Sequence, residues 1–200
     1  MHPANAMYWA GIKKRYPEYF TENILEVGSY NINGTVRDFF KGDCKEYIGV
    51  DWRPGPCVDI VTLAHEMKFA KLFKAVISAS MLEHDPHWDK SIRQMVKCVK
   101  PDGILVFTWG AANSPTHCEG EAPDGKFHAL KGDLVKNLVE KLGMTIVEWV
   151  YDFSMYKVLG CKPEEVTGFV LDGSEEICMV AFPTPREVLY IDESIPEDKI

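Results

Sequence analysis

The sequence predicts an α/β domain in which short apolar strands alternate with amphipathic helices. Three observations carry this. The run Ile24-Leu25-Glu26-Val27 ends in Gly28-Ser29 and gives way to helix-like residues. A second apolar run, Tyr47-Ile48-Gly49-Val50, ends in Asp51, 23 positions beyond Gly28 (51 minus 28). A third, Ala75-Val76-Ile77-Ser78-Ala79-Ser80, leads into a segment with apolar residues at helical spacing. The first two together have the layout of a nucleotide-binding βαβ unit. Glycine at the strand end lets the backbone approach a ligand closely. An aspartate at the tip of the next strand can accept hydrogen bonds from both ribose hydroxyls.

The elements follow in order. Residues 4–16 read as a short amphipathic helix, with Met7, Ile12 and Tyr16 among its apolar members. The first strand is expected at about 23–28, followed by a helix carrying Val36, Phe39 and Phe40. The second strand spans about 46–51. Trp52-Arg53-Pro54-Gly55-Pro56 then replaces a helix with a turn-rich loop, since two prolines and a glycine cannot sustain one. Cys57-Val58-Asp59-Ile60-Val61 reads as a short third strand, and 74–80 as a fourth. The next helix carries Trp88, Ile92, Met95, Val96 and Val99, and Lys100-Pro101-Asp102-Gly103 stops it. The fifth strand is expected at 103–109. Leu134, Val135, Leu138, Val139 and Leu142 form another helical stripe, with Asp133 near its start and Gly143 past its end. Strands six and seven are expected at 145–151 and 177–182, and a polar tail begins at about 193. Residues 110–130 and 152–176 lie outside this pattern. The first is a long loop at the carboxyl edge of a strand, where ligands bind in open α/β sheets; the second has the position of a partial lid or a surface excursion. No internal repeat or low-complexity linker is present, and residues 1–200 are expected to form one domain.

The turn after the first strand bears on which nucleotide is bound. A dinucleotide site needs G-x-G-x-x-G, so that a helix N-terminus faces a pyrophosphate. Here Tyr30 and Ile32 stand near the places of the later glycines, and the next glycine is Gly34. Glu26 would repel phosphates but suits a ligand with a cationic amino group. S-adenosylmethionine has that group, a ribose and no phosphate.

The succession as a whole resembles the class I S-adenosylmethionine-dependent methyltransferases, in their small-molecule branch. The resemblance spans roughly residues 20–150 and rests on four ordered motifs. These are the acidic-x-Gly turn Glu26-Val27-Gly28, the strand-end Asp51, the strand running into Leu82-Glu83-His84, and the turn Lys100-Pro101-Asp102-Gly103. The last departs from the usual Lys-Pro-Gly-Gly in having Asp102 for the first glycine. The resemblance implies a doubly wound, Rossmann-like sheet of seven strands in the order 3-2-1-4-5-7-6, with strand seven antiparallel. It also implies S-adenosyl-L-methionine as cofactor. Glu26, Gly28 and Ser29 would flank its methionine end and Asp51 its ribose. Trp52 could stack on adenine, Leu63 and Ala64 would lie beside it, and Ser80 and Met81 would pass close to the sulfonium. A nicotinamide-dependent oxidoreductase is the competing enzyme class, and a non-catalytic module that binds S-adenosylmethionine is a third alternative.

Composition narrows the acceptor. The chain has 200 residues, 46% of them hydrophobic and 26% charged, an ordinary globular balance. Its net charge of −8 repels a phosphate backbone, so a small-molecule or sugar-type acceptor is favoured over nucleic acid. Lys13-Lys14-Arg15 is expected to be a solvated helix end. No apolar run reaches membrane-spanning length, and His2, Pro3 and Asn5 interrupt any signal-peptide core. Six scattered cysteines without C-x-x-C point to a reduced, cytoplasmic chain. Oligomeric state is not legible.

His84, His87, His117 and His128 all fall in loops on the expected binding edge. Methyl transfer from a sulfonium is an in-line displacement, and a hydroxyl or amine acceptor must also lose a proton. His84 and His117 are therefore candidate bases, although His84 also suits a structural role capping the strand-to-helix turn. His84-Asp85-x-His87 and His117-Cys118 match no metal-ligand spacing, and Phe69 stands where a zinc-protease helix starting at His65 needs its second histidine. No metal is expected.

Overall fold

The computed structural model describes residues 3–70, 72–110, 122–150 and 176–184. Helix α1 spans Pro3–Arg15, strand β1 Asn23–Val27, and the one-turn helix α2 Arg37–Phe40. Strands β2 (Glu46–Asp51) and β3 (Ile60–Val61) follow, then β4 (Phe73–Ala79) and helix α3 (Trp88–Cys98). Strand β5 covers Val99–Gly110, helix α4 Gly132–Lys141, β6 Met144–Val150 and β7 Glu176–Pro183. The strands form one sheet in the order β3-β2-β1-β4-β5-β7-β6. Only β7 runs antiparallel to its neighbours β5 and β6. The order reverses between β1 and β4, which places the topological switch point there.

Alternating side chains divide the core between the two faces of the sheet. Leu25, Val27, Val50, Val76, Leu105 and Phe107 pack against Ile92 and Met95 of α3 and Val135, Leu138 and Val139 of α4. Ile24, Ala75, Ile77, Ile104, Val106 and Val180 pack against Tyr8, Trp9 and Ile12 of α1 and Phe40 of α2. The result is three layers, helix-sheet-helix.

Several expectations shift in detail. The third strand is two residues long, because Cys57 adopts a left-handed φ of 70° and Asp59 turns its carboxylate to Gly49 N (2.7 Å) and Arg37. The fifth strand begins at Val99, so Lys100–Gly103 lies within a strand that shifts register against β4 rather than in a helix stop. Leu134 belongs to the solvent side of α4 and is 53% exposed. The basic end of α1 is not simply solvated. Lys13 Nζ donates to Phe39 O (2.6 Å) and pairs with Asp43, while Arg15 forms a two-pronged ion pair with Glu148 of β6 (2.9 Å for each bond). Tyr16 Oη donates to the same carboxylate (2.6 Å). The helix stripe also includes Tyr8 and Trp9, both fully buried. The tail from about 193 and the segment 152–175 lie outside the described residues, and Glu176 opens β7.

Candidate functional site

The candidate site is built on the carboxyl ends of β2, β1 and β4, around the switch point. Gly28 follows β1 with φ +82°, a conformation that L side chains rarely adopt. Its amide and that of Ser29 both donate to Val50 O (2.8 and 3.0 Å), which turns the chain over the end of β2. A Cβ on Gly28 would stand 2.5 Å from both Cβ and Cγ of Met81. The glycine thus makes room for the tip of β4. Met81 sits against the turn.

Ser29 is buried, and its Oγ has no hydrogen-bond partner among the described residues. Such an orphan costs free energy unless a ligand satisfies it.

Asp51 ends β2 and is 9% exposed. Its Oδ2 accepts from Tyr30 N (3.1 Å) and its Oδ1 from Arg53 N (3.3 Å). A carboxylate has about four acceptor positions, so these main-chain donors do not saturate it and it can still accept from a ribose hydroxyl. Burial raises the Asp51 pKa, and the main-chain N–H groups of Tyr30, Arg53 and Trp52, with the Arg53 charge, oppose that rise. The loop beyond it is packed by ring contacts. The Arg53 guanidinium lies 4.0 Å from the centre of the Tyr30 ring and 5.6 Å from that of Trp52. Gly55 closes on the Tyr30 ring, leaving no space for a Cβ. Trp52 is 38% exposed, available for stacking rather than committed to the core. Leu63 and Ala64 are half-buried at the start of a 3₁₀ turn, Ala64–Glu66, which packs on α3.

Glu26 behaves differently from the expected counter-ion. It is 3% exposed and accepts from Tyr47 Oη (2.8 Å). Burial pushes its carboxyl up to about 8, against the hydrogen bond from Tyr47 and the attraction of Arg37. The side chain is therefore largely protonated at neutral pH.

Ser80 leaves β4 with φ 51°, an uncommon conformation for a residue with a side chain. Its amide donates to Thr108 O (2.8 Å), and its Oγ accepts from Asn5 Nδ2 (3.0 Å). The 3₁₀ turn Leu82–His84 follows. Glu83, 1% exposed, accepts from Gly110 N (3.0 Å) through its side chain and from His128 N (2.6 Å) through its main chain. It ties the ends of β4 and β5 to the 122–130 segment. His84 is half-buried, with its ring edge-on to Phe127 (5.7 Å). It does not cap α3. Among the described residues no side chain caps its first turn; Asp85 instead shapes the approach to the helix, its carboxylate accepting from His87 N (2.8 Å) and from Ser91 Oγ. His117 lies outside the described residues. Among the described residues no cluster of His, Cys, Asp or Glu side chains could hold a metal ion. No helix there is long and apolar enough to cross a membrane. The four described cysteines, Cys44, Cys57, Cys98 and Cys178, are free thiols.

Two participants escaped sequence reasoning, Asn5 and Glu83. Glu83 was visible as part of the Leu-Glu-His motif, but nothing in the sequence signalled that its carboxylate turns back to the end of β5. Asn5 carries no motif at all.

No family model matches this sequence, and no curated protein matches it. Solved structures do. The 1,6-didemethyltoxoflavin-N1-methyltransferase of Burkholderia thailandensis, solved with 1,6-didemethyltoxoflavin and S-adenosylhomocysteine, is similar at a TM-score of 0.65 and 12% identity, over 92% of this chain and 79% of its own. An S-adenosylmethionine-dependent methyltransferase from Clostridium acetobutylicum is similar at 0.62 and 11%, over 89% and 92%. The N-methyltransferase NodS from Bradyrhizobium japonicum, in complex with S-adenosylhomocysteine, is similar at 0.53 and 18%, over 86% and 88%. With the strand order and the switch-point turn, these similarities show that the chain has the fold of class I S-adenosylmethionine-dependent methyltransferases.

Proposed function

We propose that the protein is an S-adenosylmethionine-dependent methyltransferase acting on a small-molecule acceptor. The observation that carries this is the carboxylate of Asp51 at the tip of β2, held by main-chain donors that do not saturate it, beside a turn that offers no pyrophosphate cradle. The same turn argues against a nicotinamide dinucleotide. The orphaned Ser29 Oγ and the exposed Trp52 face fit the same ligand.

When bound, S-adenosylmethionine supplies a methyl group on a positively charged sulfur. Asp51 holds the ribose, and Trp52, Leu63 and Ala64 offer an apolar surface for the base. Met81 and the Gly28 turn pack against each other between β1 and β4 and would form the wall beside the reacting end. His84, on the turn after β4, is the described histidine best placed to take a proton from a hydroxyl or amine acceptor. The acceptor named for the Burkholderia thailandensis structure, 1,6-didemethyltoxoflavin, is a small molecule, and the net charge of −8 agrees with that class.

Calorimetry with S-adenosylhomocysteine and with NAD tests this. The protein should bind the first more tightly. Asp51→Ala should weaken it at least about tenfold, since hydrogen bonds to charged groups contribute roughly 1.5 to 3 kcal/mol each. Unchanged affinity in a folded Asp51→Ala protein, or tighter binding of NAD, overturns the proposal.

A further inference from the structure

Asn5, on the first turn of α1, is completely buried and lies 75 residues from its partner Ser80. It forms a directed chain of hydrogen bonds. Thr108 Oγ1 donates to Asn5 Oδ1 (3.1 Å), and Asn5 Nδ2 donates to Ser80 Oγ (3.0 Å). Thr108 spends its only hydroxyl proton inside the chain. Ser80, which receives a proton, keeps its own to give, and that proton has no acceptor among the described residues. Ala79 and Thr108 are register partners at the ends of β4 and β5. The carboxamide therefore bridges two strand tips at the binding edge, and it fixes a serine already held at φ 51°.

A free O–H donor needs a lone pair. Asp51 places the ribose at β2, and Ser80 stands two strands away in the order β2-β1-β4. Two strand spacings are about 9 to 10 Å, so a ligand anchored at Asp51 reaches Ser80 with its amino-acid end. The ammonium there has no lone pair and the sulfonium sulfur carries a positive charge that makes its lone pair a poor acceptor, whereas the carboxylate accepts readily. We propose that Asn5 is a positioning residue that orients the Ser80 hydroxyl to donate to the amino-acid carboxylate of the bound cofactor. This rests on the methyltransferase assignment above.

The test compares S-adenosylhomocysteine with 5′-methylthioadenosine, which lacks the amino-acid carboxylate, by calorimetry. Asn5→Asp keeps the shape of the residue but can only accept, so it draws the Ser80 proton inward. Ser80→Ala removes the donor and leaves α1 untouched. Each variant should weaken S-adenosylhomocysteine about tenfold and change 5′-methylthioadenosine less than about twofold, a selective loss expected for one hydrogen bond to a charged group. Asn5→Asp added to Ser80→Ala should cost nothing further, because the two act through one bond. Equal losses for both ligands, no loss, or additive losses in the double variant overturn the inference. Should Asn5→Asp not fold, the discrimination shown by Ser80→Ala decides it. Failure of the unmutated protein to bind either ligand overturns the methyltransferase assignment itself and this inference with it.

Discussion

Glu26→Gln isolates the most unusual ionisable group in the molecule. Glu26 sits 3% exposed between Tyr47 and the sheet, and its carboxyl is raised from an ordinary 4.5 to about 8. Burial is the chief cause; Asp51 and Asp59 add to it, while Tyr47 and Arg37 oppose it. In the unfolded chain the group loses its proton near 4.5, whereas the native protein keeps it until about 8. Between those values the unfolded state binds fewer protons than the native one, so stability falls as pH rises. The slope is about 1.4 kcal/mol per pH unit, and over the roughly three units from pH 5 to pH 8 the loss is on the order of 4 kcal/mol. Glutamine cannot ionise but still offers Tyr47 an acceptor oxygen. Urea unfolding of both proteins from pH 5 to pH 9 measures the difference. The variant should match the parent within about 1 kcal/mol at pH 5 and exceed it by about 4 kcal/mol at pH 8 and above. A pH-independent difference would show that Glu26 is charged in the native state and that the burial argument is wrong.

Gly28→Ala must place a Cβ 2.5 Å from two atoms of Met81 at a φ of +82°, so a loss of at least about 2 kcal/mol is expected, a fall in Tm of roughly 4 to 8 °C for a chain of this size. An unchanged melting temperature would mean that the turn is free to rearrange. His84→Gln should lower kcat about a hundredfold or more, with S-adenosylhomocysteine affinity nearly unchanged, if His84 takes the acceptor's proton. Full turnover in that variant, measured with an acceptor found by screening, would make the histidine structural and leave catalysis to alignment alone.

The sheet was legible because its determinants are local. Each strand is an apolar run that ends in a turn residue, and α3 and α4 carry stripes at helical spacing. The absence of a helix after β2 was legible for the same reason, since Pro54, Gly55 and Pro56 forbid one. What was not legible depends on contacts between distant residues. The third strand read as five residues and is two, because Asp59 is drawn away by Arg37 and by Gly49 N. The fifth read as starting at 103 and starts at Val99, because pairing with Phe73 of β4 extends it backwards. Lys13 and Arg15 read as solvated charges, yet their partners Asp43 and Glu148 lie on other elements. Asn5 is the limiting case: an asparagine near a terminus is ordinary until the fold sets Ser80 and Thr108 on either side of it.

The two acids of the nucleotide motif illustrate how one residue type takes two roles. Both Glu26 and Asp51 are nearly buried, at 3% and 9% exposure. Asp51 accepts main-chain N–H bonds from Tyr30, Arg53 and Trp52, which favour the charged form and oppose burial. Glu26 receives one phenol proton and the attraction of Arg37, with Asp51 and Asp59 acting against them, and burial prevails. The consequence reaches the ligand. A neutral Glu26 does not repel the end of the cofactor that carries a carboxylate, and it gives no full charge to the ammonium. To become that counter-ion at neutral pH it must first lose its proton, at a cost of about 1.4 kcal/mol for each unit its pKa lies above the solution pH. That cost consumes part of what an ion pair would return in a buried site. Asp51 bears no such cost. In the proposed function Asp51 is therefore the acid on which cofactor affinity would chiefly depend, while Glu26 joins β1 to β2 through Tyr47.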